Sequence, residues 1–153
     1  MRKKKKSILK ILVFVILAAG VSYGVKIVFF PDQVAKIHKT ISMAVDEIES
    51  KDVSSFIRHF TLDYRDCFDN TYGTLYIFLK NNIDMFKRIN IGMSQMEVEI
   101  DKQEATVKFL ATATVVSSEG EIYKEAGRFI LKMRKEDFRW KIYRLDEMGY
   151  DFD

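Results

Sequence analysis

Apolar and polar positions change period along the chain, and the changes mark its elements. Residues 8–30 are mostly apolar, with Lys10 and Lys26 as the charged exceptions, and show no amphipathic period. From Asp32 onward Val34, Ile37, Ile41, Ala44, Val45 and Ile48 recur every three or four residues, with Lys36, His38, Lys39, Asp46 and Glu47 between them. That is the stripe of an amphipathic helix. Asp52 stands as an N-cap before "VSSFIRHF", whose Val53, Phe56, Ile57 and Phe60 share one face of a short second helix. A third helix is predicted over 72–90, with Leu75, Phe78, Leu79, Met85, Phe86 and Ile89 buried and Asn90 and Gly92 closing it.

Beyond that point the period drops to two. "MEVEI" sets Met96, Val98 and Ile100 against Glu97 and Glu99, and "ATVKFLATATVV", "IYKEAGRFILKMRK" and "RWKIYRLD" follow, separated by the turns "DKQ", "SSEGE" and "EDF". Helices first and antiparallel strands afterwards predict an α+β fold. Three helices should pack on one face of a curved, mainly antiparallel sheet of about four strands.

The apolar run changes the picture of the whole chain. As a helix, residues 8–30 would reach roughly 34 Å, enough to cross a hydrocarbon core of about 30 Å. The basic cluster at residues 2–6 belongs on the cytoplasmic side of such a span. The expected organisation is a basic cytoplasmic tail over 1–7, a signal anchor over 8–30 and an extracytoplasmic domain over 31–153. A cleaved signal peptide, giving a secreted domain, is the competing reading, because "AAG" at 18–20 supplies small residues. Of the 25 Lys and Arg, seven precede Pro31, and none of the 22 Asp and Glu does, so the chain after Pro31 carries a net charge of −4. Its alkaline pI of 8.9 therefore belongs to the tail and does not indicate nucleic-acid binding. A single cysteine allows no internal disulfide, so packing must hold the domain.

"AVDEIESKDVSSFIRHFTLDYRD", the helix opening "YGTLYIFLK", the entry "MEVEIDKQEATVKFLATATV" and the close "FILKMRKEDFRWKIYRLD" together resemble the nuclear transport factor 2-like superfamily, which includes ketosteroid isomerases and polyketide cyclases. The resemblance covers nearly everything after Pro31. It implies a cone-shaped roll of the cystatin-like kind, enclosing an apolar pocket and often dimerising across the open sheet face. Placing the isomerase pattern by the short helix at Asp52 puts the catalytic base at Phe68 and the donor tyrosine at Ala44. Neither residue can do that chemistry, and Asp66 and Asp69 flank the base position without occupying it.

The remaining chemistry is sparse. His38 reads as solvated and His59 as a helix-end residue. Two distant histidines and one cysteine do not make a zinc site, and Asp63, Asp66 and Asp69 at a spacing of three do not make a calcium loop. No metal or cofactor is expected. Cys67 reads as a small buried hydrophobe. The aromatic positions say more: Phe60, Tyr64, Phe78, Phe86, Phe109, Phe129 and Trp140 fall on core-facing positions and are candidate pocket-lining residues for a small apolar ligand. Arg144, in register with Trp140 and Ile142, is a candidate anion contact in the same pocket. On the third long segment Leu110, Thr112, Thr114 and Val116 lie opposite Phe109, Ala111, Ala113 and Val115. Both faces are mildly apolar, so the outer one is a candidate interface with a second copy or a protein partner.

The function this predicts is a membrane-anchored binding or assembly module, without catalysis. The alternatives are a periplasm-facing scaffold subunit of a type IV secretion-like system, whose layout of basic tail, single span and domain is the same, and an enzyme or apolar-ligand carrier using the aromatic pocket.

Overall fold

The computed structural model describes residues 31–148. From Lys36 onward the described residues form one compact unit. The expected tail over 1–7 and anchor over 8–30 lie outside the described residues, and among the described residues no helix is long and apolar enough to cross a membrane.

Helix α1 spans Pro31–Glu49, with Asp32 in its first turn, where a carboxylate suits the positive end of the helix. Ile37, Ile41, Ala44 and Ile48 are its buried stripe, at steps of four, three and four. Each fully buried isoleucine contributes about 1.5–3 kcal/mol. The helix stops at Lys51, whose φ of 65° is left-handed. The Asp52 amide then donates to the Glu47 carbonyl (2.8 Å) and the Lys51 amide to that of Ile48 (3.1 Å), the paired bonds of a Schellman close. Asp52 in turn caps α2, Val53–Phe56, its carboxylate accepting from the Ser55 amide at 3.0 Å.

The next segment departs from expectation. Instead of continuing to Phe60 as a helix, the chain tightens into a 3₁₀ turn, Ile57–His59, and opens into strand β1, Phe60–Asp66. The sheet therefore has five strands, not four, and is mixed. β1 runs parallel to the last strand, with a register shift between Phe60 and Arg65. Helix α3 spans Tyr72–Asn82, started by a capping box between Thr71 and Thr74. It ends eight residues before the predicted Asn90, because a 3₁₀ turn at Ile83–Met85 leads directly into β2, Phe86–Asp101. β3 (Glu104–Ser117), β4 (Ile122–Glu136) and β5 (Arg139–Met148) complete the sheet in the order β1-β5-β4-β3-β2, antiparallel apart from β1.

Two bulges decide which side chains face the core. Between Ser94 and Glu97 the β2–β3 register shifts, with Gln95 at a φ of 53°. Ile89, Ile91 and Met93 pack inward before it and Met96, Val98 and Ile100 after it, so the extra residue keeps the apolar phase on one face. In β5 the register jumps between the pairs Lys132–Arg144 and Met133–Ile142, leaving Tyr143 as the extra residue. The main core joins Ile37 and Ile41 of α1 to Phe60 and Tyr64 of β1 and to the inner face of β3–β5, including Val107, Phe109, Met133 and Trp140. A smaller cluster gathers Ile48, Val53 and Ile83.

Candidate functional site

The predicted aromatic residues separate into two groups. Phe60, Tyr64, Phe109 and Trp140 are buried in one cluster, with Phe129 packed against it. Phe60 stacks between Phe56 at 4.9 Å and Tyr64 at 4.8 Å, the latter edge to face at 87°, and Phe109 lies 5.9 Å from Phe129. These rings occupy the space between α1, β1 and the sheet. Phe86 is half-buried, and Phe78, predicted to face inward on α3, is 58% exposed. Arg144 is also corrected. The bulge at Tyr143 turns it to the outer face, where it is 56% exposed and its Nε donates to Asp146 at 2.8 Å.

The stretch 62–70 is a strand end and a turn organised by Asp66. Its Oδ1 accepts from the amides of Phe68 (2.9 Å) and Asn70 (2.8 Å), and its Oδ2 from Asn70 Nδ2 (3.0 Å) and the Tyr64 hydroxyl (3.3 Å). A carboxylate so fully engaged holds the turn and is not placed as a base. Phe68, at the isomerase base position, is 60% exposed. Cys67, expected to be buried, is exposed, because the turn carries it outside the strand. Burial, followed by the Asp66 carboxylate, pushes the Tyr64 phenol far above its ordinary value, so it stays a neutral donor.

Sequence reasoning missed a groove of about 730 Å³ along the polar side of α1. Lys36, Lys39, Thr40, Met43 and Glu47 supply one wall, Ser55, Arg58 and His59 another, and residues 138–141 of the β4–β5 turn the third. Five Lys and Arg thus face one carboxylate. Glu47 Oε2 lies 2.7 Å from His59 Nε2, and both side chains are mostly buried, at 22% and 16% exposed. The two side chains share one hydrogen bond, which holds the His59 ring at the groove wall. Twelve residues separate the two partners, and the Schellman close and short helix bring them together. A second groove of about 590 Å³ lies on the other side of α1 against β2, between Ile41, Val45, Ile91, Met93 and Met96.

The family model for the SnoaL-like domain matches residues 31–146, about three quarters of the chain. The chain belongs to the SnoaL-like domain family. No functionally curated protein matches the sequence. Among solved structures, a scytalone dehydratase candidate from Novosphingobium aromaticivorans superposes with a TM-score of 0.71 at 17% identity, covering 79% of this chain and 88% of that one. An aromatic ring hydroxylase candidate from the same organism gives 0.69 at 14% identity, over 78% and 89%. A nuclear transport factor 2-like superfamily protein from Salmonella enterica gives 0.66 at 14% identity, over 77% and 91%. At these identities the likeness establishes a fold that isomerases, dehydratases and cyclases share, and no activity.

On the face of the SnoaL-like sheet away from α1, the candidate interface residues Leu110, Thr112, Thr114 and Val116 form one row of β3. Their β4 neighbours in register are Arg128, Ala126, Lys124 and Ile122, and Thr112 and Ile122 are exposed. Charge is divided across this face. Glu97, Glu99 and Asp101 project from β2, whereas Lys124, Arg128 and Lys132 project from β4, with Lys108 bonded to Glu99 at 3.5 Å between them. At its far edge Arg134 binds Asp63 at 2.8 Å and Glu136 at 2.9 Å, and its guanidinium lies 5.2 Å from the Tyr143 ring centroid.

Proposed function

We propose that this SnoaL-like domain is a binding and assembly module, displayed outside the cytoplasm by the apolar segment 8–30, and that it pairs with a second copy through the outer sheet face. The observation that carries this reading is the use of Phe60, Tyr64, Phe109 and Trp140 in packing one another. Side chains that fill the fold's interior leave binding to its surfaces. The divided charge of the outer face supports self-pairing. A half-turn about an axis along β3 would set the acidic β2 of one copy over the basic β4 of the other, the self-complementarity that a two-fold interface requires. The residues at its centre, Thr112 and Thr114, would be desolvated.

Sedimentation of the full chain and of a T112E/T114E variant in a neutral detergent tests this. A dimer that becomes a monomer in the variant supports the reading. A monomer in both cases overturns it.

A further inference from the structure

The groove beside α1 lies across the sheet from the outer face, so its role is independent of pairing. Three features of it belong together. The first is charge: Lys36, Lys39, Arg58, Arg139 and Lys141 converge on it, and its one carboxylate, Glu47, is already engaged by His59. Among the described residues Lys39, Arg58 and Arg139 have no carboxylate within ion-pair distance. Such a site favours a ligand carrying more than one negative charge, and the two guanidinium forks suit tetrahedral or planar oxyanions. The second is an apolar strip through the same groove, formed by the exposed Met43 and Phe138 over the buried Trp140.

The third is conformational. β4 and β5 are joined by a two-residue turn, Asp137 and Phe138, both left-handed, at φ of 47° and 64°. Asn-Gly is the usual occupant of that geometry. A phenylalanine there is an outlier, and this one is 91% exposed, so no packing in the fold explains it. A bulky ring held in a disfavoured conformation at the rim of a groove is the arrangement of a ligand contact.

We infer that this groove binds a phosphate-bearing amphiphile, with the anionic head on the Lys and Arg cluster and the apolar body against Met43 under the Phe138 ring, above the buried Trp140. The head could come from a phosphomonoester lipid of the bilayer or from a soluble phosphate monoester; the chemistry of recognition is the same.

Trp140 is the sole tryptophan and lines the groove, so its fluorescence reports occupancy directly. The purified full chain is titrated with hexyl phosphate, inorganic phosphate and hexanol. Hexyl phosphate should saturate with a Kd at least about tenfold below that of inorganic phosphate, and hexanol should give no saturable change. K39E/R139E should weaken hexyl phosphate by about tenfold or more while its thermal midpoint stays near that of the parent. F138G should weaken hexyl phosphate and leave inorganic phosphate unchanged. Because glycine relieves the left-handed turn, F138G should also keep or raise the midpoint, so a loss of binding there is not a loss of fold. Reconstitution into phosphatidylcholine vesicles, with or without phosphatidic acid, a phosphomonoester lipid, distinguishes the sources. A Trp140 shift that depends on phosphatidic acid identifies a bilayer headgroup, and its absence beside tight hexyl phosphate binding identifies a soluble ligand. No saturable response to hexyl phosphate, or an unchanged Kd in K39E/R139E, overturns the inference.

Discussion

Replacing Phe60 with alanine tests whether the interior is filled. Phe60 is 7% exposed in the main core and sits between the Phe56 and Tyr64 rings at 4.9 and 4.8 Å. A buried Phe→Ala change costs about 3–5 kcal/mol from lost transfer and the cavity left behind. Two ring contacts, each contributing about 0.5–1.5 kcal/mol beyond burial, place F60A in the upper part of that range, at about 4 kcal/mol. For a domain of this size that lowers the thermal midpoint by roughly 10–25 °C. Urea and thermal unfolding followed by Trp140 fluorescence measure it, since that residue is the sole tryptophan and is buried. The new cavity is lined by rings and aliphatic groups and should take benzene. Benzene at about a hundred times its Kd should restore roughly 2.7 kcal/mol to F60A and leave the parent unchanged. A loss below about 1 kcal/mol, or a parent stabilised by benzene as much as the variant, would show that the interior is an open pocket.

Tyr64 makes stability fall in alkali. Its folded phenol titrates above the ordinary value of 10.0, so its contribution is complete below pH 10 and is lost as pH rises beyond it. Y64F should therefore flatten the decline of the thermal midpoint above pH 10; an equally steep decline refutes this. Asp52 acts at the other end of the scale, because the Ser55 side chain and then its amide hold the carboxyl below the ordinary 3.8. D52A should lower the midpoint at neutral pH, and the gap should close as pH falls from 3.8 through the lowered folded value, beneath which the carboxyl is protonated in both states. The exposed Cys67, the sole cysteine, reports topology. A membrane-impermeant maleimide should label it in intact cells, whereas labelling only after lysis would place the domain in the cytoplasm.

Helix α1 was legible because its buried stripe and its start signals agree. The strands were legible where apolar and polar residues alternate without interruption, as in β3. Strand β1 was hidden because its register shift breaks the alternation, leaving the neighbours Phe60 and Thr61 both buried, while Phe56, Phe60 and Tyr64 also fit a helical stripe. The first half of β2 was hidden for a related reason: Met85, Phe86 and Ile89 fit a helical stripe as well as a strand, and pairing of Ile89 with Val115 decides between them. Both bulges shift the phase of alternation by one residue. One separated Ile91 and Met93 from "MEVEI", and the other sent Arg144 outward. The groove left little trace in the sequence. Lys36, Lys39, Met43 and Glu47 read as the solvated side of a helix, and only the fold brings them to Arg58, His59 and Arg139.

Self-pairing through the outer face is tested most directly by a short thiol-to-thiol cross-link. In a C67S background, T112C places one thiol at the centre of β3, on the exposed side of the sheet. A two-fold axis along β3 sets that position opposite its own mate, across the roughly 10 Å spacing of sheets packed face to face, a gap that a short bis-maleimide spans. A short bis-maleimide added to the full chain should give a covalent dimer from T112C and none from a thiol at Thr74, on the exposed surface of α3. Equal cross-linking at both positions, or none at T112C, would contradict assembly through this face.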